Sequence, residues 1–225
     1  GMGRSFNGSY AEYALLPADH VFTVHTELSW AETAAAPETY FTAWGSLFEC
    51  LRLVKEDTLL VRGGTCALGY AAIQLAKAMG CHVIATTHRE SKMVLLKDAD
   101  EAILDTGILA GTLRGVTKAL ELVGPKTLRD TLKCVEAGGI VCNTGILGGA
   151  YALAPLAAAL SSWLLCLYQN HQNVLQSEQG LLNKYGTMAL SVGLSLYLGW
   201  FFENIAQALS DMDHHKVNGK IVVRM

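Results

Sequence analysis

Between Gly64 and Gly69 the chain reads GTCALG, straight after the apolar run Thr58–Arg62 (TLLVR) and at the mouth of a helical stretch, Ala67–Met79. A strand that gives way to a helix through a glycine turn leaves the first helical N–H groups without intrahelical partners, and the helix macrodipole adds partial positive charge there. Phosphate oxygens suit such a corner. Gly64 is expected to turn the chain sharply and Gly69 to let helix and strand approach closely, with Thr65, Cys66, Ala67 and Leu68 forming the loop between them. The spacing departs from GxGxxG at Cys66, which takes the middle glycine position. A degenerate glycine pattern is weak alone; the strand–turn–helix–strand setting carries the reading of a dinucleotide site. The alternative is a tight turn in an α/β domain that binds nothing.

The end of the next strand bears on which dinucleotide. An NAD-preferring site places Asp or Glu there for the ribose 2′-hydroxyl. Here the strand runs out as Ala85-Thr86-Thr87-His88-Arg89, and the nearest acid, Glu90, falls past the tip. Arg89 and Lys92 could pair with a 2′-phosphate through charge-assisted bonds, which favours NADPH. Their alternative role is that of solvated charges at a helix start.

The elements that must position these residues follow from the pattern around them. Residues 9–24 (SYAEYALLPADHVFTV) read as two short strands around Pro17-Ala18-Asp19. Ser29 and Glu32 have capping-box spacing, and Pro37 suits a first helical position, so a long helix is expected from there to about Leu53. Strands are then expected at Thr58–Arg62, His82–Thr86, Ala102–Leu104, Ala119–Val123 and Gly139–Asn143. Helices fall at Ala67–Met79, Glu90–Lys97 and around Lys126–Val135. Glu203–Met212 reads as helix and Lys220–Arg224 as strand. Strands alternating with helices imply a doubly wound parallel sheet of the α/β class.

Composition narrows the function classes. Of 225 residues, 51% are apolar and 16% charged, so a substantial core can form. The net charge of −3 with scattered Lys and Arg offers no basic stripe for nucleic acid. Cysteines stand at 50, 66, 81, 134, 142 and 166 without a CxxC pair. They read as reduced thiols of a cytoplasmic protein, with Cys142 a small core residue in an apolar strand. The uncharged stretches Ala150–Tyr168 and Tyr185–Phe202 are near membrane-spanning length. Pro155 and Ser161-Ser162 interrupt the first, glycines dilute the second, and neither has flanking Lys/Arg clusters. Burial or a subunit interface is the reading taken. Adjacent His214 and His215 would point about 100° apart on a helix and suit one metal ion poorly.

Several stretches resemble the medium-chain dehydrogenase/reductase superfamily, in its zinc-independent quinone oxidoreductase-like branch. They are GSYAEYALLP (8–17), LSWAETAAAPETYFTAWGSLFE (28–49), TLLVRGGTCALGYAAIQLAKAMGCHVIATT (58–87), LELVGPKTLRDTL (120–132), GGIVCNTGILGG (138–149) and FENIAQALSDMDHHKVNGKIVV (202–223). The resemblance implies a Rossmann-like cofactor domain over 26–200, remnants of a mainly β, GroES-like substrate domain in 1–25, and a closing helix and strand in 201–225. It implies that Ala67 and Leu68 offer amides to the pyrophosphate, and that Lys92, beside Thr87, contacts the 2′-phosphate. Val123 would border the nicotinamide pocket, and Thr144, Gly145, Ile146 and Leu147 would lie beside the nicotinamide. Zinc-dependent relatives carry a cysteine ligand where this chain has Pro37-Glu38-Thr39-Tyr40-Phe41-Thr42, so no catalytic zinc is expected. The implied activity is NADPH-dependent hydride transfer to a quinone or α,β-unsaturated carbonyl, by a homodimer, with no catalytic side chain identifiable. The alternative is a non-catalytic NADPH-binding module. Residues 150–200 depart from the family pattern.

Overall fold

The computed structural model describes residues 7–21, 23–145, 198–201, 207, 210–211, 214 and 221–224. Its centre is a five-stranded parallel sheet: β1 (Thr58–Arg62), β2 (His82–Thr87), β3 (Glu101–Leu104), β4 (Lys118–Glu121) and β5 (Ile140–Asn143), in the spatial order β3-β2-β1-β4-β5. In register, Leu59 faces Val83 on one side and Lys118 on the other. The apolar run of β1 has no polar alternation because strand and neighbours are covered on both faces; Leu59, Leu60 and Val61 are wholly buried. This is the doubly wound sheet expected from the sequence.

Helix α3 (Ala67–Met79) packs Ala72, Ile73, Leu75 and Ala76 into a core shared with Leu59, Val61, Val83 and Ala85. Its small residues let the helix lie close to β1 and β2. The chain leaves α3 at Gly80, whose φ of 85° is the left-handed conformation that ends many helices. On the outer side of α3 lies α2 (Pro37–Trp44), and the Tyr40 hydroxyl meets the Gln74 side chain. Ahead of it, α1 (Trp30–Ala35) starts with the expected capping box: Ser29 Oγ accepts from the Glu32 amide at 3.3 Å, and Glu32 Oε2 accepts from the Ser29 amide at 2.8 Å.

Three local expectations need correction. Residues 9–24 form no strand among the described residues, only a 3₁₀ turn at Ala18–His20. Tyr13 and Leu15 stand about nine-tenths exposed, and an extended segment becomes a strand only where another supplies ladder partners. The helical region before β1 is divided. Pro37 opens a new helix as expected, since it has no N–H to donate, but that helix does not run on to Leu53: after α2 the chain widens into a π-helical stretch, Gly45–Cys50, in which the Leu51 amide reaches Ser46 O at 3.0 Å. The segment after β2 is a 3₁₀ helix, Glu90–Leu96.

Elsewhere boundaries shift by a residue or two, with α4 at Leu128–Cys134. The expected final strand is β7 (Ile221–Arg224), and it pairs in parallel with β6 (Leu198–Phe201), at the end of a run whose uniform apolarity disguised a strand. β7 lies beside α1. No helix among the described residues is long and apolar enough to cross a membrane. Ala150–Tyr168, and Tyr185–Phe202 apart from β6, lie outside the described residues. So does the helix expected at 203–212, apart from Gln207, Ser210 and Asp211, which are helical.

Candidate dinucleotide site

Every expected site residue that falls among the described ones lies at the carboxyl end of the parallel sheet, where ligands of doubly wound folds bind. The loop from Gly64 to Gly69 is pinned at its start to Thr86 of β2: the Gly64 amide donates to Thr86 O at 2.8 Å and the Gly63 amide to the Thr86 side chain, Oγ1, at 3.2 Å. The sharp turn belongs to Gly63, whose φ is 88°, and not to Gly64 as the glycine pattern suggested. What Gly64 supplies is space, since a Cβ there would meet Leu96 at 3.1 Å and Ala85 at 3.2 Å. Gly69 acts as expected. A Cβ on it would lie 2.5 Å from Gly64 O, so only glycine lets the first turn of α3 sit this close to the strand exit.

Cys66 is the N-cap of α3, and its Sγ accepts from the Gly69 amide at 3.3 Å. Burial pushes this thiol up, against the pull of neighbouring amides and Lys92. A neutral, weakly accepting sulfur therefore occupies a helix start that would hold an anion more strongly.

The rest of the site assembles around the loop. Thr65 and Thr87 hydroxyls are 3.2 Å apart, and the Arg89 amide donates to Thr87 Oγ1 at 3.4 Å. Lys92 is half-buried, and its ammonium is pushed down first by burial and then by the Arg89 charge. Cys66 acts on it in the opposite sense, so Arg89, Lys92 and the loop share one corner. Lys92 follows Arg89 by one 3₁₀ turn, its amide donating to Arg89 O at 3.0 Å, and two cations so placed just past β2 form a corner suited to an anion. On the opposite flank, a Cβ on Gly63 would touch Val123 Cγ2 at 3.2 Å. Thr144 and Gly145 amides both reach Glu121 O, at 3.1 and 3.3 Å. Ile146 and Leu147 lie outside the described residues.

The sequence did not single out the residues beneath this surface. Arg62, at the end of β1, is fully buried and forks onto Asp105 at 2.7 and 2.9 Å, while Nη1 donates to Asp130 at 2.7 Å and Thr131 Oγ1 at 2.9 Å. Burial alone would lower the arginine, but these carboxylates raise it; despite their own burial, Asp105 is held below the usual carboxylate range chiefly by Arg62, and Asp130 by the Leu109 and Ala110 amides and then by Arg62. Glu121, at the end of β4, accepts from the Val123 and Gly124 amides at 2.7 and 2.9 Å and from Thr127 and Thr131 hydroxyls. A charged residue closing an otherwise apolar strand is the one signal that could have flagged this network. Ser46, on the π-helical stretch, meets Thr144 with 2.8 Å between hydroxyl oxygens, a contact that no periodicity announces.

A five-stranded parallel sheet with this order and a glycine-rich exit from its central strand defines the dinucleotide-binding α/β class. More narrowly, the chain belongs to the zinc-binding dehydrogenase family, whose model matches residues 67–190, over half of its length, and to the quinone oxidoreductase-like part of the medium-chain dehydrogenase/reductase superfamily. Rat quinone oxidoreductase is 30% identical over 151 residues, covering 63% of this chain and 46% of that protein. The highly reducing polyketide synthase dmxL2 of a Cryptosporiopsis strain is 28% identical over 158 residues, 65% of this chain and 6% of the synthase. Among solved structures, mycobacterial Rv1454c complexed with NADPH superposes with a TM-score of 0.79 at 24% identity, covering 97% of this chain and 72% of its own. The chain thus spans about half the length of the quinone oxidoreductase it matches.

The family's description names zinc. Among the described residues no group of three or more His, Cys, Asp or Glu side chains could hold a metal ion, so they do not fit a zinc centre. His214 directs Nδ1 to Ser210 O at 2.7 Å; His215 lies outside the described residues.

Proposed function

We propose that the chain is the cofactor-binding part of an NADPH-dependent reductase that passes hydride to a quinone or an α,β-unsaturated carbonyl. The observation that carries this reading is the placement of Arg89 and Lys92, one 3₁₀ turn apart just past β2, next to Thr87, whose hydroxyl meets Thr65 of the loop. A 2′-phosphate would relieve their mutual repulsion, whereas a bare ribose would leave it in place. The names of the relatives point the same way: one is a quinone oxidoreductase, another a reducing polyketide synthase, and one fold neighbour was solved with NADPH.

In this reading the cofactor supplies the hydride, and the chain binds and orients it. Ala67 and Leu68 amides, with the dipole of α3, hold the pyrophosphate, and Gly64, Thr65, Cys66 and Gly69 shape the loop. Thr87, Arg89 and Lys92 receive the 2′-phosphate. Val123, Thr144 and Gly145, continued by Ile146 and Leu147, wall the nicotinamide end. A quinone or enone is already electron-poor, so hydride transfer to it does not need a metal. Residues 1–25 and 201–225 would belong to the substrate-binding side, and the whole protein would work as a cytoplasmic homodimer.

Calorimetric titration with NADPH and NADH tests this directly. NADPH should bind more tightly, and Lys92→Ala should weaken it by about tenfold or more, since a hydrogen bond to a charged group contributes roughly 1.5–3 kcal/mol. NADH affinity should barely move. Equal affinity for both nucleotides removes the 2′-phosphate from the reading, and NADPH preference that survives the substitution removes Lys92. Binding without oxidation of NADPH by the full-length protein, across a panel of quinones and enones, would leave a binding module instead.

A further inference from the structure

Glu121, the last residue of β4, carries a wholly buried carboxyl group directly after the apolar Ala119 and Leu120. Four donors close on it. Oε1 accepts from the Val123 amide at 2.7 Å, the Gly124 amide at 2.9 Å and the Thr127 hydroxyl at 3.0 Å. Oε2 accepts from the Thr131 hydroxyl, which itself accepts from Arg62 Nη1 at 2.9 Å. Burying such a group is costly, and a leucine there would extend the apolar run without that cost. What glutamate adds is a pair of oxygens that only accept, which suits a place where every neighbour donates.

The donors it gathers belong to a turn. Gly124 has a φ of 87°, in the left-handed region, and its amide and the Val123 amide point at one oxygen. Thr127 is the N-cap of α4, yet its hydroxyl makes no cap bond and turns to Glu121 instead. The backbone of Glu121 holds a second loop, since its carbonyl accepts from the Thr144 amide at 3.1 Å and the Gly145 amide at 3.3 Å. A Cβ on Gly145 would run into the Leu122 carbonyl, so this loop lies directly on the residue after Glu121. One residue thus carries the turn after β4 on its side chain and the loop after β5 on its backbone.

We propose that Glu121 is a positioning residue for the nicotinamide half of the cofactor, its carboxyl group setting Val123 and Gly124 at a fixed distance from Thr144 and Gly145. The inference rests on the proposed function, in which these two stretches wall the nicotinamide end. A strand residue of any type offers its carbonyl to the loop after β5. The carboxyl group is what ties the turn after β4 to the same point. A buried polar network whose members are all paired is rigid, and Thr131 extends this one to Arg62. Without the carboxyl group the Val123 and Gly124 amides lose their acceptor, the turn moves to find another, and the gap between the walls changes. The adenosine end is served by Thr65, Thr87, Arg89 and Lys92, on the other flank of β1, and keeps its geometry.

Two ligands separate positioning from stability: NADPH, and adenosine 2′,5′-bisphosphate, which keeps the 2′-phosphate and lacks the nicotinamide. Both are titrated calorimetrically into the full chain, with far-UV circular dichroism to show that each variant is folded. Glu121→Met keeps the length of the side chain without its acceptors. It should weaken NADPH about tenfold, the worth of one or two hydrogen bonds, and leave the bisphosphate within about twofold. Glu121→Gln retains one oxygen for the two amides and should recover most of the loss. Thr131→Val, which cuts the tie to Arg62, should weaken NADPH alone, and Thr131→Ser should restore it; this pair decides if Glu121→Met does not fold. Equal losses for both ligands in a folded variant overturn the inference. So does wild-type NADPH binding in Glu121→Met, or in Thr131→Val should the first not fold. A wild-type chain that binds neither ligand sinks the nucleotide reading itself, and this inference with it.

Discussion

At the level of single residues, the loop is governed by distances too short for any side chain. A methyl group on Gly69 would press on the Gly64 carbonyl, which is backbone and cannot swing aside. Gly69→Ala should therefore open the first turn of α3 and cost about 1–3 kcal/mol of stability, the range for overpacked sites, measurable as a lower denaturant midpoint at unchanged slope. The sequence announced Gly69 through its place in the motif. It misassigned the turn to Gly64 because adjacent glycines are indistinguishable until their φ angles are known. The same limit hid the contacts that join Ser46, Thr144 and Cys142, ordinary small residues, scattered in sequence, that only the tertiary fold brings together.

Among the elements, β1, α3 and β5 were the most legible, since apolar runs bounded by Gly, Pro or charge have few alternative structures. The π-helical stretch was not, because a chain bonded from i to i+5 carries no distinctive hydrophobic period. Arg62 shows what joins these elements. It links β1 to Asp105, just past β3, and to Asp130 of α4, with the guanidinium itself closed to solvent. Arg62→Leu would leave two carboxylates facing each other without a cation. The expected loss is on the order of 3–5 kcal/mol, read as a marked fall in Tm by calorimetry. Arg62→Lys should recover only part of it, because an ammonium cannot reproduce the two-pronged bond to Asp105.

For the molecule as a whole, the buried charges tie stability to acidity. Asp105 and Asp130 are held below their unfolded values by Arg62 and by backbone amides, and Asp100 is held down chiefly by Lys77. A carboxylate that titrates lower in the native state contributes in full above the ordinary aspartate value near about 3.9 and loses that contribution as pH falls through its native value. Urea midpoints should therefore be flat in this respect from neutral pH down to about 5 and drop steeply below about 4. Arg62→Leu should flatten that acid limb only in part, because the arginine is the main cause that holds Asp105 down, whereas the Leu109 and Ala110 amides hold Asp130 down ahead of it.

The strand order has a further consequence. From β1 the chain runs outward to β2 and β3, then crosses back to lay β4 and β5 on the other flank. On the proposed reading, the adenosine half of the ligand is served by residues 87–92 and the reacting half by residues 123–147, two stretches with no overlap. Mutations that alter which nucleotide is accepted then leave untouched the walls around the ring that reacts. Coenzyme choice and acceptor choice become separately heritable traits, free to diverge on one unchanged scaffold.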